Sequence, residues 1–306
     1  PATTRPLQLW QPGSTPGHFA NSISSSIRGE QMTIEWTASQ KQRLKELGIP
    51  SDEEYDLNSD EEREALFSRL VTQRQSEGRK AIRHMLEKPE RHPLVQLEEC
   101  LSQALVNDGF IEVRTPTIIS RSALEKMGIG RDHPLHEQVF WLDDKRCMRP
   151  MLAPNLYYSM RHLKRSSRGP VRLFEVGTCY RKESRGSNHL EEFTMLNLVE
   201  LDPVNDPNSQ LERHIATVMT AAGLDYELCT CTSDVYVQTT DVEVGGVEVA
   251  SGAVGPHKLD PAHGIKDPWA GVGFGLERLL MLMRAEDNVK KVGRSLIYLR
   301  GVRLDI

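Results

Sequence analysis

The chain has 306 residues, of which 38% are hydrophobic and 26% charged, and a formal net charge of −5. That length buries one sizeable core, the net charge supplies no overall basic field for nucleic acid, and no apolar run approaches the ~18 residues of a membrane span. Five cysteines (Cys100, Cys147, Cys179, Cys229 and Cys231) include no CxxC pair, which argues against a zinc site or disulfide framework and fits a reducing cytoplasm.

Residues 1–31 are rich in Pro, Ser, Thr and Gly, hold no acidic residue before Glu30 and show no helical or strand period, so they are expected to be disordered. The serine, arginine and acid-poor character is that of a transit peptide, but the stretch lacks an amphipathic face and does not begin with methionine. Met32 reads as an initiator and the residues before it as a non-native or translated upstream tail. Residues 32–88 read as a charged helical segment whose exposed lysines and arginines either meet a partner or pack on the rest of the fold. Thr37 is an N-cap before ASQKQRLKEL, with Gly48 as C-cap and Pro50 following. A second helix is expected near Ser59, where SDEE resembles a capping box, and a third over Ser76 to Leu86.

Pro93 to Val106 predicts an amphipathic helix, and from Gly109 strands dominate, interrupted by helices over Pro154–Leu163 and Asn208–Ala222. Cys229 and Cys231, two apart in an alternating segment, read as a buried pair on one strand face. This mixed order with hairpins predicts an α+β fold, an antiparallel sheet flanked by helices, over residues 89–306.

Two blocks carry chemistry. Phe174 to Asn197, FEVGTCYRKESRGSNHLEEFTMLN, reads as strand, polar loop and strand, which puts Arg181 and Glu183 near the turn. A planar guanidinium there grips a phosphate or carboxylate bidentately, and a carboxylate accepts from an adenine amino group; a solvated hairpin tip is the plainer account. Gly271 to Leu280, GVGFGLERLL, alternates glycine along a strand with a bare face before an apolar helix. That face admits a flat ligand with Arg278 over it, or only close backbone packing.

With GFIEVRTPTIIS (Gly109 to Ser120) these blocks resemble, in order, motifs 1, 2 and 3 of the class II aminoacyl-tRNA synthetases, motif 1 with its proline at Pro116. RPMLAPNLYYSM, YRKES with HLEEFTMLN, DVEVGGVEVASGAVGPHKLD and DPWAGVGFGLERLL together resemble the branch that charges tRNA(Pyl) with pyrrolysine, a long Nε-acylated lysine. The match is to its short form, without the separate N-terminal tRNA-binding domain. The resemblance implies a class II catalytic fold, a homodimer formed through motif 1, ATP as substrate with Mg²⁺, and partners that include neither DNA nor membrane.

It also implies residue roles. Arg181 and Arg278 are the catalytic arginines; ATP is bound by these with Glu183, His189, Leu190 and Phe193, and by Glu248 and Ser251, which also hold the metal. An acidic oxygen and a hydroxyl are hard ligands suited to Mg²⁺. Leu152, Ala153, Leu156, Tyr157, Met160, Val199, Ala253, Trp269 and Gly271 wall a deep apolar chamber. Asn197 bonds the carbonyl of the substrate side chain, and Tyr236 closes over it. Val199 stands where long members often carry cysteine. For tRNA the basic candidates are Arg161, Lys164, Arg165 and Arg168, or Lys290, Lys291 and Arg294, each cluster also an ordinary solvated helix face. The alternatives are a class II synthetase for another amino acid such as phenylalanine, and an inactive synthetase-like RNA-binding protein.

Overall fold

The computed structural model describes residues 35–50, 55, 57–182, 189–233 and 235–305. The tail 1–31 and Glu183 lie outside the described residues. The chain divides into two compact units, one ending at Thr72 and one beginning at Gln73.

In the first unit, α1 (Ala38–Glu46) starts at the expected cap. The Thr37 hydroxyl accepts from the Gln40 N–H at 3.3 Å, and Gln40 Oε1 accepts from the Thr37 N–H at 3.0 Å, a capping box that satisfies two orphan donors. Gly48, at φ 66°, turns the chain out of the helix. Trp36, Leu44 and Leu57 form a small core with Phe67 and Leu70 packed on it.

Where two helices are expected after Ser59 and Ser76, there is one, α2 (Asp60–Glu87), of 28 residues. Gly78 costs about 1 kcal/mol of helix propensity, too little to break a segment that contains no proline and carries three acids in its first turn.

In the second unit, α3 (Pro93–Asn107) buries Leu94, Leu97, Leu101 and Leu105, one stripe at helical spacing. Next come β1 (Ile111–Glu112), β2 (Ile118–Ser120), α4 (Arg121–Lys126), α5 (Pro134–Glu137), β3 (Arg146–Met148) and α6 (Ala153–Lys164). The long hairpin β4 (Val171–Tyr180) and β5 (Glu192–Leu201) precedes α7 (Pro207–Ala222). Strands β6 (Glu227–Ser233), β7 (Val237–Val244) and β8 (Val247–Gly255) follow, then α8 (Asp260–His263), β9 (Trp269–Gly275), α9 (Leu276–Met283) and the hairpin β10 (Tyr298–Leu299) and β11 (Val302–Arg303).

The main sheet has seven strands in the order β1-β4-β5-β9-β8-β7-β6. It is antiparallel as expected except at its edge, where β1 runs parallel to β4. One face carries the core built from α3, α7 and α9, with Phe174, Leu196, Leu198, Val272 and Phe274 pointing into it. The opposite face packs against α6 only in part: Leu173, Val199 and Trp269 meet Leu156, Tyr157 and Met160. What α6 leaves uncovered is the cavity. Cys229 and Cys231 lie on the edge strand β6 and are only half-buried, not the buried pair that alternation suggested, because no element covers that edge face.

Candidate active site

The cavity floor is set by strand register. Cys229, Asp241, Ser251, Gly273, Asn197 and Glu175 lie in one row across the sheet, and Thr239, Ala253, Gly271, Val199 and Leu173 in the next. The glycines of β9 thus form a groove with no side chains between the polar β8 and the hairpin. A Cβ added at Gly273 would sit 2.6 Å from Asn197 Oδ1 and 3.2 Å from Met195 Cε, so glycine is what lets Asn197 lie across the strand. Gly273→Ala is therefore expected to displace the amide and cost about 1–3 kcal/mol of overpacking, which urea denaturation measures.

Glu248 and Ser251, three apart, fall on opposite faces of a regular strand. A bulge brings them together. Val242 pairs with Ala250, whereas the next residue, Glu243, pairs with Glu248, so Val249 is the extra residue and the parity is reset. Val249 and Ala250 both enter the core, and Glu248 joins Ser251 at the cavity. Ser251 Oγ donates to Asp241 Oδ1 at 2.6 Å. Partial desolvation holds the Glu248 carboxyl above its ordinary range; Arg278 opposes this and Asp241 and Glu243 reinforce it.

The arginines come from opposite sides. Arg181 leaves the end of β4 and donates through Nε to the Pro150 carbonyl at 2.9 Å, with its guanidinium carbon 5.5 Å from the Phe193 ring centroid. Pro150 is itself held by its neighbour. Arg149 is buried and donates through Nη1 to Glu175 Oε1 at 2.7 Å and through Nε to the Thr178 carbonyl at 2.8 Å, while Glu175 accepts from the Thr115 N–H at 3.0 Å. The motif 1 segment, the Pro150 turn and the hairpin are locked by this buried pair. Arg278, in the first turn of α9, donates through Nη1 to the Glu248 carbonyl at 3.0 Å and lies 3.7 Å from its carboxylate. Its neighbour Glu277 faces inward and accepts from the Thr194 N–H on both oxygens at 2.9 Å, tying α9 to β5; burial raises its pKa.

These residues surround a cavity of about 360 Å³. Of the sequence candidates, Ala153, Leu156, Tyr157, Met160, Arg181, His189, Leu190, Phe193, Asn197, Val199, Tyr236, Glu248, Ser251, Ala253, Trp269, Gly271 and Arg278 line it. Leu152 does not: it precedes α6 as its N-cap residue, fully buried behind the wall, since a helix presents only one face to the chamber. Met195, Val235 and Thr239 line it unanticipated, the last two without a distinguishing motif, while Met195 was legible from its alternation with Phe193 and Asn197. Among the described residues the Asn197 side-chain amide makes no hydrogen bond and borders the cavity.

The basic clusters differ. Lys291 pairs with Glu286 and Asp287, and Arg294 holds Thr194, Thr178 and Glu277, so that group is spent largely on the fold. Lys164 pairs with Asp202, while Arg165 and Arg168 are exposed.

Residues 80–300 match the family described as the tRNA synthetase class II core domain (F). A crystal structure of pyrrolysyl-tRNA synthetase from Desulfitobacterium hafniense superposes with a TM-score of 0.82 at 50% identity, covering 90% of this chain and 100% of that one. The chain belongs to the pyrrolysyl-tRNA synthetases, within class II. A second structure of the Desulfitobacterium hafniense enzyme agrees, at 47% identity and a TM-score of 0.80, over 93% of this chain and 100% of that one. Threonine–tRNA ligases are more distant. The one from Wolbachia pipientis is 34% identical over 98 residues, 30% of this chain, and that of Nitrosomonas europaea 33% over 98 residues; the chain spans only 15% of the length of either. None of the described helices is long and apolar enough to cross a membrane.

Proposed function

We propose that this enzyme activates pyrrolysine with ATP and transfers it to the 3′ end of tRNA(Pyl). The observation that carries the substrate is the Asn197 amide, without a partner among the described residues, in a chamber walled by Leu156, Tyr157, Met160, Val199 and Trp269. An amide that a bound substrate seals from water is costly to leave unpaired, so the chamber suits a long side chain that brings a carbonyl to that depth and is otherwise apolar. Phenylalanine leaves the amide unsatisfied, and free lysine places an ammonium against hydrocarbon.

In the first step a carboxylate oxygen of the amino acid attacks the α-phosphorus of ATP, the bond to the bridging oxygen of the β-phosphate breaks, and pyrophosphate leaves. In the second a terminal ribose hydroxyl of the tRNA attacks the adenylate carbonyl carbon, loses its proton, and AMP departs. No enzyme nucleophile is required; the protein positions two anions and neutralises them. Arg181, aimed by the Pro150 carbonyl, spans the carboxylate and α-phosphate. Adenine lies between Phe193 and Arg278, with Glu183 reading its amino group and His189 and Leu190 at the phosphate side.

The residues present fit Mg²⁺. Glu248, Ser251 and the adjacent Asp241 offer hard oxygens, and the Glu248 carboxyl, raised chiefly by desolvation and further by Asp241, gains from a cation beside it. Glu248 and Ser251 would hold the ion, which neutralises phosphate charge when bound. Excess EDTA is expected to abolish pyrophosphate exchange, and the Mg²⁺ requirement to rise on acidification, because protons compete for a carboxylate whose pKa lies above the ordinary value.

The working unit is a homodimer in the cytoplasm, and sedimentation at micromolar concentration checks the assembly. Arg165 and Arg168 are the exposed cations best placed for tRNA. Pyrophosphate exchange with a panel of pyrrolysine, acylated lysines, lysine and phenylalanine tests the whole reading: preference for phenylalanine or free lysine overturns it, and no exchange with any amino acid favours an inactive RNA-binding protein.

A further inference from the structure

The deep end of the chamber is ordered by a carboxylate outside the three motifs. Asp260, at the start of α8, is 3% exposed. Its Oδ1 accepts from the Tyr157 hydroxyl at 3.2 Å and from Trp269 Nε1 at 3.1 Å. Its Oδ2 accepts from the same indole nitrogen at 3.0 Å and from the His257 N–H at 2.5 Å. The Tyr236 ring meets Trp269 edge-on at 5.8 Å and the His257 ring at 5.5 Å. Behind, His263 stacks on the Tyr157 ring at 4.2 Å.

Three aromatic walls of the cavity thus converge on one acid that does not itself line it. Each wall has a polar handle, and a buried handle without a partner weakens the structure and wets the pocket. Here every handle is turned outward. The Tyr157 hydroxyl donates to Asp260, so its proton is not aimed at the ligand. Gly255 permits this arrangement: a Cβ there would lie 2.0 Å from Trp269 Nε1. Three contacts from the two rings to one carboxyl group suit side chains that must stay fixed.

The geometry points to Asp260 as the positioning residue that sets the depth and apolar character of the amino-acid chamber, holding Tyr157 and Trp269 directly and Tyr236 through its edge contact with Trp269. The inference rests on the acylated-lysine reading above. A purely structural acid anchoring α8 would lower stability and affect amino acid and ATP alike; a positioning residue for the chamber splits them.

The test uses the full chain with Asp260→Asn, Tyr157→Phe and both together. Pyrophosphate exchange is measured against an Nε-acylated lysine at saturating ATP and against ATP at saturating amino acid, beside the indole ¹H–¹⁵N resonances, with Trp269→Phe for assignment. Asp260→Asn is nearly isosteric and is expected to raise the acyl-lysine KM by about tenfold or more while the ATP KM stays within about twofold. The double variant is expected to be non-additive, because both changes break the same hydrogen bond. The Trp269 indole resonance is expected to shift and exchange faster with solvent. An acyl-lysine KM within about twofold of the parent, or equal rises in both KM values, overturns the proposal. If the parent exchanges with no acylated lysine, the functional reading fails instead, and Asp260 is judged by the indole signal: a shift sustains the positioning role, an unchanged signal removes it.

Discussion

Arg181→Ala is expected to lower adenylate formation by at least about a hundredfold, the order seen when one preorganised donor to a transition state is removed. The side chain is the cation at the end of β4; its Nε donates to the Pro150 carbonyl, and the residue lines the cavity. Aiming it in advance spares reorganisation when charge passes from the carboxylate to the α-phosphate. Lysine at this position is expected to recover little, because a point charge cannot span two anions as a planar fork does. Pyrophosphate exchange at saturating substrates measures the effect. A loss of less than roughly tenfold would remove Arg181 from the reacting centre.

Asn197→Ala is expected to reduce kcat/KM for pyrrolysine or an acylated lysine by about 1–3 kcal/mol, roughly five- to a hundredfold. The amide borders the cavity opposite the bare Gly273, where no side chain competes for its hydrogen bonds. Loss of the amide also opens the chamber beside Met195 and Val199, so aromatic amino acids are expected to gain in the same variant. The ATP KM is expected to be unchanged. A variant that activates acylated lysines as well as the parent would separate Asn197 from recognition and leave only shape as the basis of choice.

Much of the local structure in both units was legible from the sequence. The Thr37 cap, the Pro93 helix and the β4 to β5 hairpin depend on interactions among near neighbours, and these are written in spacing. So is the bare strand of Gly271, Gly273 and Gly275, because alternation alone puts them on one face. The three motifs that resemble the class II synthetases lie in such local elements, which is why the site's arginines were found.

Other features depend on which parts of the chain meet. Glu248 and Ser251 share a face only because the β8 bulge at Val249 lets two consecutive apolar residues enter the core, and no local pattern announces that slip. Leu152 shares its helix's apolar character with Leu156, yet falls behind the wall, since helical phase selects a face but packing decides what covers it. Arg294 looked like a surface cation until its partners Thr194, Thr178 and Glu277 converged on it from distant strands and α9. Asp260 belonged to no motif, and its role exists only once α6, α8 and β9 bring Tyr157 and Trp269 to the same carboxylate. What the sequence determined alone was therefore the chemistry available and the elements that carry it. Only the tertiary structure decided which side chains share a solvent-excluded space, because burial and cross-strand register arise between segments far apart along the chain.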